Sequence, residues 1–141
     1  RDQDGAASEP LSSPGIASLQ SLADGVTATG LPVTLRVDGE PRPLSPSIEL
    51  SAYRIVQEAL TNVVKHARDP GGAEVVVRYG DDGSLEVEIT DDGRGAAARG
   101  TGHGLTGMRE RVGIFGGEFR AGPGPEGGFR VAARLPTEAM R

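Results

Sequence analysis

Glu58, Asn62, Lys65 and His66 stand at positions i, i+4, i+7 and i+8 of the stretch EALTNVVKHA. On a helix advancing about 100° per residue they share a sector roughly 100° wide. A carboxylate, an amide and an ammonium then line one wall. An amide oxygen is a hard neutral ligand that Mg²⁺ accepts alongside phosphate oxygens, and a lysine offers those phosphates a point charge. Val56, Ala59, Leu60, Val63, Val64 and Ala67 fill the neighbouring sector, and Gln57, Thr61 and Arg68 the remainder. A helix packed on a core needs only a buried face and a wet one. The competing reading is a solvated face with an incidental Glu58–Asn62 contact.

Two glycine-bearing stretches follow. In DDGRG, Asp91 to Gly95, one reading is an ordinary turn at a strand exit. The other is a buried carboxylate at Asp91 that accepts a hydrogen bond from a ligand amine, with bare glycine backbone letting a flat ring approach. GHGLTG, Gly102 to Gly107, matches the G-x-G-x-x-G pattern. The dinucleotide reading fails, because the preceding strand ends across a loop and Glu126, in a turn, cannot serve as the strand-borne acid. What remains is a glycine turn feeding a helix N-terminus, a phosphate cradle. His66 and His103 belong to no cluster at metal-ligand spacing, which excludes a dedicated zinc or iron site, and no Ser-His-Asp arrangement is legible. Arg109, Glu110 and Arg111 read as the wet face of a helix, and Phe115, Phe119 and Phe129 as core.

The elements that must hold these residues are legible in outline. Residues 1–15 combine Ser, Pro, Gly and acids and read as a disordered lead-in, with a domain expected over 16–141. Ile16 to Thr29 carries a short helical stripe, and Val33, Leu35 and Val37 alternate as a strand closed at Asp38-Gly39. Ser45 and Pro46 are N-cap and first residue of a helix running to about Arg68, with Glu49 near its positive end. AEVVVRYG and SLEVEITDDG form a hairpin about Asp81-Asp82-Gly83, with Leu85, Val87 and Ile89 on one side. Gly93 to Gly104 reads as a flexible loop. Leu105, Met108, Val112 and Phe115 restore helical spacing, and two strands around PGPEG close the chain. This order predicts an α/β, or α+β, two-layer sandwich: a mixed, largely antiparallel sheet with helices on one face.

Composition narrows the function. One domain is expected of 141 residues, and a net charge of −5 lacks the basic face that a nucleic-acid binder needs. There is no cysteine, which excludes disulfides and thiolate metal sites. No apolar run is long enough to span a membrane, so no membrane contact is expected. Starting at Arg1 rather than Met, the chain reads as excised from something longer. Of its 22 glycines, 13 lie between Gly93 and Gly128, a local demand for bare backbone.

Taken in order, E-x-x-x-N-x-x-K-H-A, D-x-G-x-G and G-x-G-L-x-G-M-x-E-R resemble the ATP-binding catalytic domain of bacterial two-component sensor histidine kinases. The resemblance covers about residues 31–136 and points to the subfamily of the nitrate and desaturase sensors. It implies ATP and Mg²⁺ as ligands and the gyrase- and chaperone-type ATPase fold. Asn62 would coordinate Mg²⁺, Glu58 would hold the amide or a metal-bound water, and Lys65 and His66 would face phosphate or ribose. The implied catalytic set is therefore Glu58, Asn62 and Lys65. Asp91 would accept from the adenine amino group above Gly93 and Gly95. Residues 96–103 would form an ATP lid, and Gly102, Gly104 and Leu105 would bring a helix N-terminus to the phosphates.

The implied partners are dimerisation helices of the same parent, bearing the phosphoacceptor histidine, and a response regulator. The implied location is cytoplasmic, within a parent that can be membrane-anchored. Two departures stand out. Phe129 follows Gly127-Gly128 where the family often has a threonine near the adenine. Neither His66, followed by Ala67, nor His103, followed by Gly104, fits a phosphoacceptor, so the chain alone is expected to be nearly inactive. An anti-sigma-factor-type serine kinase and a non-catalytic nucleotide-sensing module remain alternatives.

Overall fold

The computed structural model describes residues 13–67, 69–93, 103–124 and 127–137, with the backbone alone at 103 and 104. Residues 1–12 of the expected lead-in and 96–102 of the expected lid, 96–103, lie outside the described residues. A 3₁₀ turn at Ile16–Ser18 opens into α1 (Leu19–Ala28), followed by β1 (Val33–Asp38) and α2 (Pro46–His66). Then come β2 (Ala73–Tyr79), β3 (Ser84–Asp91), α3 (His103–Ile114), β4 (Glu118–Pro123) and β5 (Phe129–Pro136).

Helix α2 begins as its sequence dictates. The Ser45 side chain accepts from the Ile48 N–H at 3.2 Å, Pro46 takes the first helical position, and Glu49 lies in the first turn. Glu49 also reaches outside the helix, accepting from the Ile16 N–H at 2.8 Å. The helix ends at His66, slightly before the expected stop, because Ala67 is already extended. Asp69 then takes a left-handed φ of 52° ahead of Pro70, a conformation that Asp tolerates better than most residues.

The strands form one sheet in the order β1-β2-β3-β5-β4. Only β1 and β2 run parallel, joined by α2 as the crossover, and every other pair is antiparallel. Val75, Val77, Leu85, Val87, Ile89, Val131, Ala133 and Leu135 are buried on one face, with Ile48, Ala52, Ile55, Leu60 and Val63 of α2 and Met108 and Val112 of α3 packed over them. The opposite face carries cross-strand charge pairs: Arg78 with its register partner Glu86, and Arg130 diagonally with Glu88. The two-layer sandwich with a mixed, largely antiparallel sheet is thus the observed architecture.

Three expectations shift. Helix α3 starts at His103, so His103 and Gly104 belong to its first turn, not to the loop. Phe115 falls just beyond the helix end and, like Phe119, is only partly buried, whereas Phe129 lies in the core. Arg111 is half-buried and turns from the wet face toward Glu58 of α2.

Candidate functional site

Glu58 is the best-anchored member of the α2 stripe. Its Oε2 accepts from Nη2 of Arg111, across the gap to α3. Its Oε1 is buried without a partner among the described residues, as is Nε of Arg111. A Cβ built on Gly107 would stand 3.6 Å from that same Oε1. Gly107 and Arg111 are four apart, so one face of α3 receives the carboxylate over successive turns. Both side chains keep near 30% exposure, 30% for Glu58 and 28% for Arg111, so the pair is partly open to solvent where α2 meets α3.

The Arg111 contact was open to sequence reasoning in one respect. Leu105, Met108 and Val112 define the buried stripe of α3, and position 111 flanks it. Which element stands opposite that flank is tertiary information. Arg109, two residues earlier, turns elsewhere, its guanidinium 4.9 Å from the centre of the Phe119 ring.

Asn62 lies one turn beyond Glu58 and is half-buried. Lys65 and His66 are exposed in the last turn, where cations meet the negative end of the helix dipole. Lys65 also borders an apolar groove of about 410 Å³ between α1 and α2, with Leu22, Val26, Leu60 and Val64. The stripe therefore divides: Glu58 engages α3, while Lys65 borders α1.

Asp91 ends β3 and is one of two buried polar residues among the described residues, the other being Ser84. Its Oδ1 accepts from the Gly93 N–H at 2.8 Å, an Asx turn that shapes the strand exit. Its register partners are Ala73 on β2 and Phe129 on β5. Alternation from Leu85, Val87 and Ile89 puts its side chain on the helix-covered face. Gly93 is buried beside it. A Cβ on Gly128 would come within 1.7 Å of the Asp91 carbonyl oxygen, so the residue that leads into β5 must be glycine.

Asp92 was not singled out by sequence, yet its Oδ1 accepts from the Gly71 and Gly72 N–H groups at 2.7 and 3.1 Å. It pins the α2–β2 loop beside the end of β3. The signal available was the Gly-Gly pair, whose successive amides suit an anion.

A cavity of about 400 Å³ at these strand ends is bordered by Thr34, Glu74, Thr90 and Asp91. Thr34, Glu74 and Thr90 are register neighbours facing away from the helices, so this cavity is on the opposite side from the expected pocket. Gly95 and Gly102 lie outside the described residues. Gly104 contributes backbone to the first turn of α3. Leu105 is buried, so its side chain anchors that turn in the core and only its backbone is left to face a ligand.

The residues present fit a Mg²⁺ held chiefly by a ligand's phosphates. Among the described residues no group of three or more His, Asp or Glu could hold a metal by itself. Asn62 offers one neutral oxygen donor, and the buried, unpartnered Oε1 of Glu58 offers an acceptor one turn away.

The family model for "Histidine kinase-, DNA gyrase B-, and HSP90-like ATPase" matches residues 47–139, about two thirds of the chain. The chain belongs to this ATPase family. Its curated relatives include the sensor histidine kinase YxjM of Bacillus subtilis (strain 168), 36% identical over 124 residues. That match covers 86% of this chain and 30% of YxjM. The histidine-protein kinase/phosphatase UhpB of Salmonella typhimurium is 39% identical over 95 residues, 66% of this chain and 18% of UhpB. The chain thus spans less than a third of the length of these relatives.

Among solved structures, the blue-light activated histidine kinase of Erythrobacter litoralis EL346 aligns with a TM-score of 0.71 and 21% identity. It covers 91% of this chain and 47% of that one, and shows the shared fold. At the level of the domain, this member of the ATPase family is an ATP-binding catalytic domain of the type that sensor histidine kinases carry.

Proposed function

We propose that the domain binds Mg-ATP between α2 and α3, against the helix-side end of β3. In a full-length parent it would pass the γ-phosphoryl group to a histidine on dimerisation helices, for relay to an aspartate of a response regulator. The observation that carries the reading is the Asp91 carboxylate, buried on the helix-covered face where β3 ends. A buried carboxylate there discriminates an amine donor such as that of adenine from a carbonyl. Phe129, its register partner, supplies an apolar surface in place of a hydroxyl.

On this reading Asn62 turns its amide oxygen to the metal, and Glu58 orients the amide or a metal-bound water. The backbone at Gly104 and Leu105 presents the start of α3 to phosphate, and Lys65 and His66, both exposed, are free to swing toward it. When bound, Mg²⁺ supplies neutralisation of phosphate charge, and the protein's own contribution is positioning. We also propose a domain over 16–141 with a lid over 96–103, a cytoplasmic location, and the nitrate and desaturase sensor subfamily, for which K-H-A and G-M-x-E-R are the supporting motifs. Neither described histidine has a following acid, so the chain alone should turn ATP over slowly.

Titration calorimetry tests the site. Asp91→Asn should weaken ATP by about ten- to a hundredfold and abolish its preference over GTP, as loss of a charge-assisted hydrogen bond would. Asn62→Ala should remove most of the gain in affinity that Mg²⁺ confers. If both variants bind like the unaltered chain, the site is misplaced. If the unaltered chain fails to bind millimolar ATP, the kinase reading falls.

A further inference from the structure

The Glu58–Arg111 pair is built poorly for a strut. Arginine and carboxylate normally meet through two parallel bonds, and burying a charged pair stabilises a protein only when the remaining donors and acceptors are satisfied. Here one bond is made, while Oε1 of Glu58 and Nε of Arg111 are buried and unpartnered among the described residues. Gly107 keeps side-chain atoms away from that Oε1. Of the charged run 109–111, only Arg111 is paired with α2, since Arg109 is spent on Phe119. The pair also joins two elements with different duties: α2, which carries Asn62, and α3, whose first turn holds Gly104.

We propose that Arg111 is a positioning residue of the nucleotide site. Its guanidinium takes one oxygen of Glu58 and so fixes the carboxylate plane, leaving the other oxygen for the Asn62 amide or a water on Mg²⁺. The inference rests on the Mg-ATP reading above and adds to it a residue from the opposite wall. Arg111 touches neither nucleotide nor metal in this scheme. It acts through Glu58, as an outer partner that orients a ligand acts on a metal site.

The test is ATP titration of the chain with and without Mg²⁺, together with ligand-free thermal melting, for four proteins: the unaltered chain, Arg111→Met, Arg111→Lys and Arg111→Met/Glu58→Gln. Arg111→Met should lose about ten- to a hundredfold of the affinity gained from Mg²⁺. Arg111→Lys keeps the charge but not the planar fork and should recover only part of it. The double variant should lose at least as much of the gain as Arg111→Met, because Arg111 acts only through the carboxylate that Glu58→Gln also alters.

If Arg111→Met retains the full Mg²⁺ gain, the inference is overturned, and a lowered melting temperature with an unchanged gain overturns it equally. Should Arg111→Met fail to fold, Arg111→Lys decides by the same measurement: an unchanged gain overturns the inference and a reduced one supports it. An unaltered chain that binds no ATP is a different result, which removes the nucleotide reading and this inference with it.

Discussion

A methyl group at position 128 has nowhere to go. It would meet the Asp91 carbonyl oxygen at 1.7 Å and the Asp92 Cα at 2.9 Å, and both are backbone atoms of the middle strand's exit. Gly128→Ala should therefore cost about 1–3 kcal/mol, the usual cost of overpacking, and displace Asp91 as well. Urea denaturation beside ATP titration checks both effects. Gly122→Ala, where a Cβ meets nothing within 4 Å, is the matched control and should be nearly neutral. At this scale residue type was legible and partnership was not. Glu58, Asn62 and Asp91 stood out because their chemistry and spacing were unusual. Arg111 and Asp92 did not, because their partners lie 53 and about 20 residues away. Periodicity reports which side of an element a residue occupies, and the packing of another element decides what it meets there.

Among the elements, the β2–β3 turn was the most fully written in sequence. Gly83 takes the left-handed conformation with φ of 83°, closing a three-residue loop of Asp81, Asp82 and Gly83. Asp82 accepts from both the hydroxyl and the N–H of Ser84, and from Arg134 of β5. The Ser84 hydroxyl first, and Arg134 next, hold the Asp82 carboxyl at about 2, below its ordinary 3.8. A lowered folded-state value gives stability that is present above the ordinary value and lost as pH falls through the lower one. Stability should therefore decline between about pH 4 and pH 2, and Asp82→Asn should flatten that part of the curve. Acid titration followed by circular dichroism distinguishes the two profiles. Arg42 reinforces the same turn from the β1–α2 connection, donating to the Gly80 and Ser84 carbonyls at 3.2 and 3.0 Å. That clasp was not legible, since an arginine in a Pro-rich loop announces no partner. Helix α2 was legible because its cap, proline and apolar stripe agree with one another. The start of α3 was misjudged because glycines mask a first turn that needs no side chain.

On the scale of the whole molecule, the layers could be read and the neighbour order could not. Alternation in the strands and 3.6-residue spacing in the helices require one buried face each, which leaves few architectures. Nothing local, however, puts β5 between β3 and β4. That placement follows from pairing Ser84–Asp91 with Phe129–Pro136, residues far apart in the chain. It makes β3 the middle strand, bonded along its length to β2 on one side and β5 on the other. Its amides can meet solvent only when two ladders separate together, whereas the edge strands β1 and β4 can fray singly. Deuterium exchange should show protection near the global limit from Leu85 to Thr90 and markedly faster exchange in β4. Equal rates in both would contradict this. The consequence concerns endurance: Asp91, on which base selection is proposed to rest, is carried by the strand that lets go last. Local openings at the rim of the domain leave that strand in place.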